Sequence, residues 1–252
     1  MELINNTYLT VINNTHDCFY RSGIDHLGER SVLLGMSPGN GYFSEENMFC
    51  IIAGLCRIVP RVYIIIPDVP HVYNFTGMGY SEDDAKRKAK KDSNQTRNRL
   101  GRVIDKINET EDFRNFTVLD WGRDIASNSD HQSAFNKILC EYESNENFRT
   151  TVNDLTRDYL TGRSKDRTAI NIDVRQGVIY YLQELALFSA HVDIFGEPLT
   201  TAYYKIWGGG LDTIADLFEG FRESFSLIQY SLEQRPVESV VRTVPVLSDI
   251  GV

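Results

Sequence analysis

The fold of this chain follows from one stretch near its beginning, Ser31-Val32-Leu33-Leu34-Gly35-Met36-Ser37-Pro38-Gly39-Asn40-Gly41-Tyr42-Phe43-Ser44. It opens as an apolar strand and breaks into a loop in which three glycines surround one serine, Ser37. Glycine lets the backbone adopt positive φ and approach a ligand closely. A hydroxyl at the carboxyl end of a strand stands where open α/β sheets bind ligands, although the same residues also dominate ordinary turns. The stretch therefore predicts a strand, a binding loop or plain turn, and a helix that Ser44 caps.

The residues after Ser44 continue this pattern into a strand–helix–strand unit. Glu45 and Glu46 lie in the first helical turn, where carboxylates favour the positive end of the helix dipole. The buried face of this helix is expected to consist of Met48, Ile51, Ile52 and Leu55. Residues 61–67 form a nearly continuous apolar run, as in a strand covered on both faces. A right-handed crossover between two parallel strands is the expected connection.

Helices and strands alternate through the rest of the chain. A mobile loop with Pro70, Gly77 and Gly79 is expected first, and Ser81 with Asp84 then predicts the start of a long helix. Further helices are predicted over 129–161 (in two parts), 173–188 and 211–223, and further strands over 116–119, 199–207 and 226–232. Residues 5–30 are polar and weakly patterned and predict only an entry segment. The alternation predicts an α/β fold with a mostly parallel sheet.

Length and composition limit the class of protein. A chain of 252 residues suits one large domain or two small ones. No apolar run approaches the roughly 18 residues that cross a bilayer, and we expect no signal peptide. The cysteines Cys18, Cys50, Cys56 and Cys140 lack metal-site spacing, which favours reduced core thiols in a cytoplasmic protein. The net charge of −9 argues against nonspecific coating of nucleic acid but leaves room for a local basic face.

The segment Gly35-Met36-Ser37-Pro38-Gly39 matches the G-x-S-x-G nucleophile elbow of α/β-hydrolases. A serine hydrolase or esterase needs an acid and then a histidine downstream, and His191 is the only late histidine. The loop also follows the first predicted strand of the sheet, which is early for that fold. No HGGG-like oxyanion segment precedes it. The hydrolase therefore stays an alternative rather than the favoured interpretation.

A tyrosine and a glutamate four residues apart, Tyr180 and Glu184, project from one face of the predicted helix 173–188. Such a pair is usually an ordinary hydrogen-bonded couple. This helix is apolar, however, so Glu184 is expected to be half-buried, and a buried carboxylate needs a partner such as a substrate ammonium. Tyr203 or Tyr204 in the following strand could bring a second phenol to the pocket, although aromatic strand residues more often belong to the core.

The long helix that begins after Ser81 is strongly basic. Against only Asp92 and Asp105, its body carries Lys86, Arg87, Lys88, Lys90, Lys91, Arg97, Arg99, Arg102 and Lys106. A charge run is usually a solvated face, but a run of one sign in an acidic protein indicates phosphate contacts. Because aromatic residues are not interleaved, the helix favours recognition of a nucleic-acid backbone over sequence reading.

Three blocks together resemble the cyclodipeptide synthases: the loop from Gly35 to Ser44, the pair Tyr180 and Glu184 followed by Leu187-Phe188, and the later Tyr204. The resemblance spans residues 30–230, the spacing between the blocks fits, and the basic helix lies between them. It implies a Rossmann-like three-layer fold, similar to the catalytic domain of class I tyrosyl- and tryptophanyl-tRNA synthetases, with residues 1–252 as a single catalytic domain. The sequence has no HIGH-like or KMSKS-like signature, in agreement with a family that works without ATP.

The resemblance also implies a reaction, in which two aminoacyl-tRNAs yield a cyclic dipeptide (a 2,5-diketopiperazine). By this resemblance Ser37 accepts the first aminoacyl group as an ester, while Glu184 and Tyr180 hold its ammonium. Tyr204, preferred over Tyr203, helps to position that group. The residues expected around the aminoacyl group are Gly35 and Asn40 in the loop, and Leu33, Ile65, Leu119, Leu187 and Phe188 as pocket walls. The residues expected to bind tRNA are Lys86, Arg87, Lys90, Lys91, Arg97, Arg99 and Arg102.

The chemistry asked of these residues is simple, because an aminoacyl-tRNA ester is already activated and a serine without a histidine base can exchange with it. Glu184 or Tyr180 could relay the proton of the attacking amine, and loop N–H groups could stabilise the oxyanion. Lys205 follows Tyr204 where the subfamily with Asn40 usually has histidine, so the subfamily stays open. We expect no cofactor, neither ATP nor metal, and a cytoplasmic monomer that binds neither membrane nor DNA. A non-catalytic binder of aminoacyl-tRNA is the alternative from another class.

Overall fold

The computed structural model describes residues 7–12, 29–163, 172–197, 199–203 and 227–234. Its strands are β1 (Thr7–Ile12), β2 (Ser31–Gly35), β3 (Val62–Ile66), β4 (Phe116–Asp120), β5 (Leu199–Tyr203) and β6 (Leu227–Gln234). Its helices are α1 (Glu45–Cys56), α2 (His71–Gly77), α3 (Glu82–Thr110), α4 (Ser129–Ser144), α5 (Glu146–Arg163), α6 (Val174–Ser189) and α7 (His191–Phe195). A short π-helix, Trp121–Ala126, follows β4.

The strands form one six-stranded sheet in the order β1-β6-β5-β2-β3-β4. All neighbouring pairs are parallel except β1 and β6 at one edge, which confirms the predicted mostly parallel sheet. The chain moves outward from β2 to β3 and β4, and later places β5 on the other side of β2. Because open α/β sheets bind ligands where the strand order reverses, the carboxyl ends of β2 and β5 are the expected binding point.

Two apolar layers cover the sheet, so the predicted Rossmann-like three-layer fold is confirmed. Alternate residues of β2 belong to different layers: Leu33 packs with residues of α4, α5 and α6, whereas Leu34 packs with α1 and α3. Every residue of β3 is buried, as its continuous apolar run predicts. The predicted buried face of α1 is confirmed, because Met48, Ile51, Ile52 and Leu55 all belong to the layer that contains Leu34.

Local capping fixes the helix starts that the sequence predicts. The Ser44 hydroxyl accepts a hydrogen bond from the Asn47 N–H at 3.2 Å, and Ser81 accepts one from Asp84 at 3.3 Å. These bonds satisfy N–H groups that the first helical turn leaves without partners. The predicted helices over 129–161 and 173–188 and the predicted strand 116–119 are confirmed as α4, α5, α6 and β4.

The segment after Asp68 is a helix, so the predicted mobile loop is wrong. Pro70 starts α2, whose residue His71 is buried, and Gly77 ends it against α6. A Cβ on Gly77 would lie 2.9 Å from backbone atoms of Gly177, and the Asp173 N–H donates to the Gly77 carbonyl at 2.8 Å. The glycine that indicated a loop is therefore required by close helix packing.

The expectations for the first and the last elements of the chain have different outcomes. Part of the predicted entry segment is the edge strand β1, which pairs with β6. The predicted strands 199–207 and 226–232 are confirmed where described, as β5 and β6. The predicted helix 211–223 and residues 204–207 lie outside the described residues.

The cysteines divide between the core and the surface. Cys56 is buried in α1, where burial raises the pKa of its thiol to about 12, and Cys50 is half-buried. Cys140 is exposed on α4, so the prediction of a core thiol is wrong there; Cys18 lies outside the described residues. No helix within the described ranges is long and apolar enough to cross a membrane.

Candidate active site

The serine loop, residues 36–43, consists of two consecutive turns. In the first, the Asn40 N–H donates to the Ser37 carbonyl, with Pro38 and a left-handed Gly39 (φ 69°) between them, as in a type II turn. In the second, the Phe43 N–H donates to the Asn40 carbonyl, and the Asn40 side chain accepts from the Tyr42 N–H at 3.0 Å. Asn40 thus shapes the loop from within, and Ser37 occupies the first position of its first turn.

The loop is supported by the elements on either side of it. The Met36 N–H donates to the Ile65 carbonyl at 2.8 Å, which continues the pairing of β2 with β3. From α3, Arg99 donates to the Phe43 carbonyl at 3.0 Å. Ser37 itself is half-buried. Hence hydrogen bonds hold the backbone on both sides of Ser37, and the residue keeps some access to solvent.

A narrow cavity opens at the carboxyl ends of β2, β3 and β5. Its lining contains the predicted residues Leu33, Gly35, Ile65, Glu184, Leu187 and Phe188, and also Pro67, Trp121 and Thr201, which sequence reasoning missed. Leu119 is not part of the lining and packs against the core. A Cβ on Gly35 would meet no atom within 4 Å, so this glycine keeps the end of β2 open.

Glu184 brings a carboxyl group into this apolar cavity. Burial raises its pKa from 4.5 to about 7, and the hydrogen bond from Tyr180 offsets only part of this rise. The Tyr180 hydroxyl donates to Glu184 Oε1 at 2.8 Å. Since a buried carboxylate is costly without a charged partner, the site favours a ligand that brings a cation, such as an ammonium, with an apolar side chain beside it.

The described histidines do not serve Ser37 as a base. His191 is buried and its Nδ1 lies 2.7 Å from the Phe188 carbonyl, while His131 contacts the Gln183 carbonyl. Both ring nitrogens of His71 face other side chains. The catalytic arrangement of a serine hydrolase is therefore not seen within the part of the chain that the structure describes. That part also contains no group of three His, Cys, Asp or Glu side chains placed to hold a metal ion.

The basic helix is α3, and most of its predicted tRNA ligands bond to the protein itself. Arg97 pairs with Asp68, and Arg99 supports the serine loop. Three others form ion pairs on the surface, which are Lys86 with Glu82, Arg87 with Asp84 and Arg102 with Glu45. Lys90 and Lys91 are exposed and form no ion pair or hydrogen bond with the described residues. These two lysines are the cations of α3 most available to a phosphate backbone.

Tyr204 and Lys205 lie outside the described residues. The strand that leads to them, β5, runs parallel to β2 with Thr201 opposite Leu33. The chain therefore leaves β5 at the edge of the sheet where the serine loop leaves β2.

Known proteins share the sequence pattern and the fold described above. The family model for cyclodipeptide synthase matches residues 22–212. The cyclo(L-leucyl-L-phenylalanyl) synthase of Streptomyces noursei is 24% identical over 191 residues, which cover 71% of this chain and 78% of that protein. The structure of a Mycobacterium tuberculosis protein is 20% identical in sequence, and the match covers 91% of this chain and 94% of that protein, with a TM-score of 0.69. That structure demonstrates that cyclodipeptide synthetases are related to type I tRNA synthetases. The structure of the cyclodipeptide synthase of Candidatus Glomeribacter gigasporarum bound to Phe-tRNAPhe is 14% identical in sequence. The match covers 90% of this chain and 96% of that protein, with a TM-score of 0.59.

Proposed function

The chain belongs to the cyclodipeptide synthase family, enzymes that make cyclic dipeptides, and from this premise we propose that it joins the residues of two aminoacyl-tRNAs through an aminoacyl ester on Ser37. The observation that carries the proposal is the position of the Glu184 carboxyl, which lies in an apolar cavity beside the start of the serine loop. Tyr180 donates a hydrogen bond to one of its two oxygens, Oε1. An aminoacyl group offers the two complements of this site, an ammonium and a side chain.

The first step is an exchange of esters. The Ser37 hydroxyl attacks the aminoacyl carbonyl, and the terminal ribose hydroxyl of the tRNA leaves with the serine proton. Because the two alcohols have similar basicity, the exchange needs orientation more than a strong base. Backbone N–H groups of the serine loop would stabilise the oxyanion.

Two amide bonds then complete the ring. Each amine attacks the ester carbonyl of the other residue, and the two alcohols that leave are Ser37 and the second tRNA. Each ammonium must first lose a proton, so a nearby group with a pKa near neutrality is useful. Glu184, whose pKa is about 7 before an ammonium binds beside it, meets this requirement. Tyr204 would complete the contacts around the aminoacyl group.

The surface that meets the tRNA would be the exposed side of α3, with Lys90 and Lys91 as its free cations. Support comes from the neighbour of the same fold whose structure contains Phe-tRNAPhe. Two aminoacyl-tRNAs are consumed per cycle, and no ATP or metal is required because the ester is already activated. We place the reaction in the cytoplasm, where aminoacyl-tRNA is made, and we propose a monomer that binds neither DNA nor membrane.

Mass spectrometry of medium from cells that express the chain tests this function. Cyclic dipeptides should appear with the wild type and with Ser133→Ala, an exposed control on α4. They should be absent with Ser37→Ala. Full output from Ser37→Ala would contradict the covalent step. Absence of product from a soluble wild type would contradict the function, and tRNA binding or ester hydrolysis would then indicate the binder or the hydrolase.

A further inference from the structure

We propose that His71 and Asp92 form a positioning pair that holds the serine loop in the conformation required for acyl transfer. This inference rests on the proposed function, because it assigns these residues to the formation of the Ser37 ester. Neither residue touches the cavity that receives the aminoacyl group. They act on the reaction through the backbone of the first turn of the loop.

Asp92 forms the surface on which this turn rests. A Cβ on Gly39 would lie 2.9 Å from Asp92 Cγ and closer still to its Oδ2, so the carboxylate lies directly against the glycine. Gly39 also has a φ of 69°, which side chains other than glycine rarely adopt. The Asp92 oxygen therefore sets how closely the turn can approach α3. Ser37 and Gly39 belong to one hydrogen-bonded turn, so a displacement of Gly39 moves the nucleophile.

His71 determines where that oxygen lies. Its Nε2 is 3.5 Å from Asp92 Oδ2, and its Nδ1 is 3.2 Å from Asn74 Nδ2. Because the Asn74 amide can only donate at Nδ2, Nδ1 accepts and the ring proton lies on Nε2, directed at Asp92. Burial lowers the pKa of His71, and the hydrogen bond from His71 lowers the pKa of Asp92, in agreement with a neutral ring beside a charged carboxylate.

The pair connects two helices to the catalytic loop. His71 is the first residue of α2, five residues beyond the end of β3, and its side chain is completely buried. Asp92 lies in α3, one residue beyond the exposed Lys91. A histidine and an aspartate beside a serine would suggest a hydrolase triad, but neither nitrogen of His71 is free to face Ser37. The same contacts instead suit a fixed support, and a displacement of about 1 Å at a nucleophile can lower a rate about 100-fold.

Two substitutions of His71 separate the contact with Asp92 from the contact with Asn74. The amide nitrogen of glutamine in His71→Gln can reach the position of Nε2 and donate to Asp92. The shorter side chain in His71→Asn reaches only the position of Nδ1 and keeps the Asn74 contact. The rate of Ser37 acylation is measured in a single turnover with aminoacyl-tRNA, together with tRNA affinity and the melting temperature.

The positioning role predicts that His71→Asn acylates about 10- to 100-fold more slowly at unchanged tRNA affinity, whereas His71→Gln stays within a few-fold of the wild type. Asp92→Ala, at a partly exposed position, should show the same slow acylation and covers the case in which His71→Asn does not fold. Acylation at the wild-type rate by His71→Asn or by Asp92→Ala would overturn the inference. Equal losses of acylation rate in both His71 variants, in proportion to the fall in their melting temperatures, would also overturn it. Failure of the wild type to acylate would instead overturn the proposed function.

Discussion

Replacing Glu184 by glutamine should stabilise the protein while it abolishes synthesis. The carboxyl of Glu184 lies in an apolar cavity, and burial raises its pKa to about 7. At pH 8 the free enzyme must therefore carry a carboxylate in surroundings that disfavour the charge. Glu184→Gln removes the charge, retains the shape, and keeps an oxygen that can accept the Tyr180 hydrogen bond.

The size of the effect follows from the two pKa values. In the unfolded chain the carboxyl has its ordinary pKa of 4.5, and in the folded chain the pKa is about 7. A difference of about 2.5 pH units, at about 1.4 kcal/mol per unit, corresponds to about 3 kcal/mol. Between these values the folded state binds more protons than the unfolded state. The free energy of unfolding should thus fall as pH rises from 4.5 through 7, and this contribution should be constant above that window.

Urea unfolding of the wild type and Glu184→Gln, at several values between pH 5 and pH 8, measures the effect. We expect similar stabilities near pH 5 and a variant more stable by about 2 to 3 kcal/mol at pH 8. Glu143→Gln, an exposed position on α4, controls for the loss of one negative charge. If the free energies of unfolding of Glu184→Gln and the wild type differ by the same amount at pH 5 and at pH 8, the claim that burial raises the pKa of Glu184 is refuted. Product formation at the wild-type rate would refute its role in holding the ammonium.

Two other predictions concern the basic helix and the helix crossing. Lys90→Ala with Lys91→Ala should weaken use of aminoacyl-tRNA and make the plot of log affinity against log salt less steep by about 1 per lysine, whereas Lys137→Glu, an equal charge change on the exposed side of α4, should leave the slope unchanged. An unchanged slope for the lysine variant would place the tRNA surface elsewhere. Gly77→Ala should lower stability by about 1 to 3 kcal/mol, because its Cβ would meet the α6 backbone, while Gly101→Ala in open space on α3 should raise it by up to about 1 kcal/mol. Equal melting temperatures for the two glycine variants would contradict the close packing of α2 on α6.

The parts of the fold that could be predicted from sequence are those with local causes. Ser44 and Ser81 cap helices through atoms three residues away, and the serine loop is shaped by Pro38, Gly39 and Asn40 themselves. The continuous apolar run of β3 likewise reflects burial on both faces. In each case the residues that decide the structure are neighbours in the chain.

The elements that were missed have distant causes. Helix α2 has only seven residues and no side-chain N-cap, and it packs through Gly77 against Gly177, which lies far along the sequence. Strand β1 pairs with β6, near the other end of the described chain. Local propensity cannot indicate either contact, because tertiary packing supplies the stability.

The candidate site shows the same division. The half-buried position of Glu184 could be predicted because the rest of its helix is apolar. The availability of the α3 arginines could not, because Arg97 pairs with Asp68 29 residues away and Arg99 bonds to the Phe43 carbonyl 56 residues away. Both side chains therefore bond to other parts of the fold, and which cations of α3 bind tRNA stays a prediction.

The central claim is the aminoacyl ester on Ser37, and its most direct test is the mass of the protein after a brief reaction. The enzyme is mixed with one aminoacyl-tRNA, quenched in acid, and examined intact and after digestion. We expect one added aminoacyl residue on the peptide that contains Ser37. It should be absent from Ser37→Ala and lost when a second aminoacyl-tRNA is supplied before the quench. Cyclic dipeptide formed without this adduct, or an adduct of equal yield on Ser37→Ala, would contradict it.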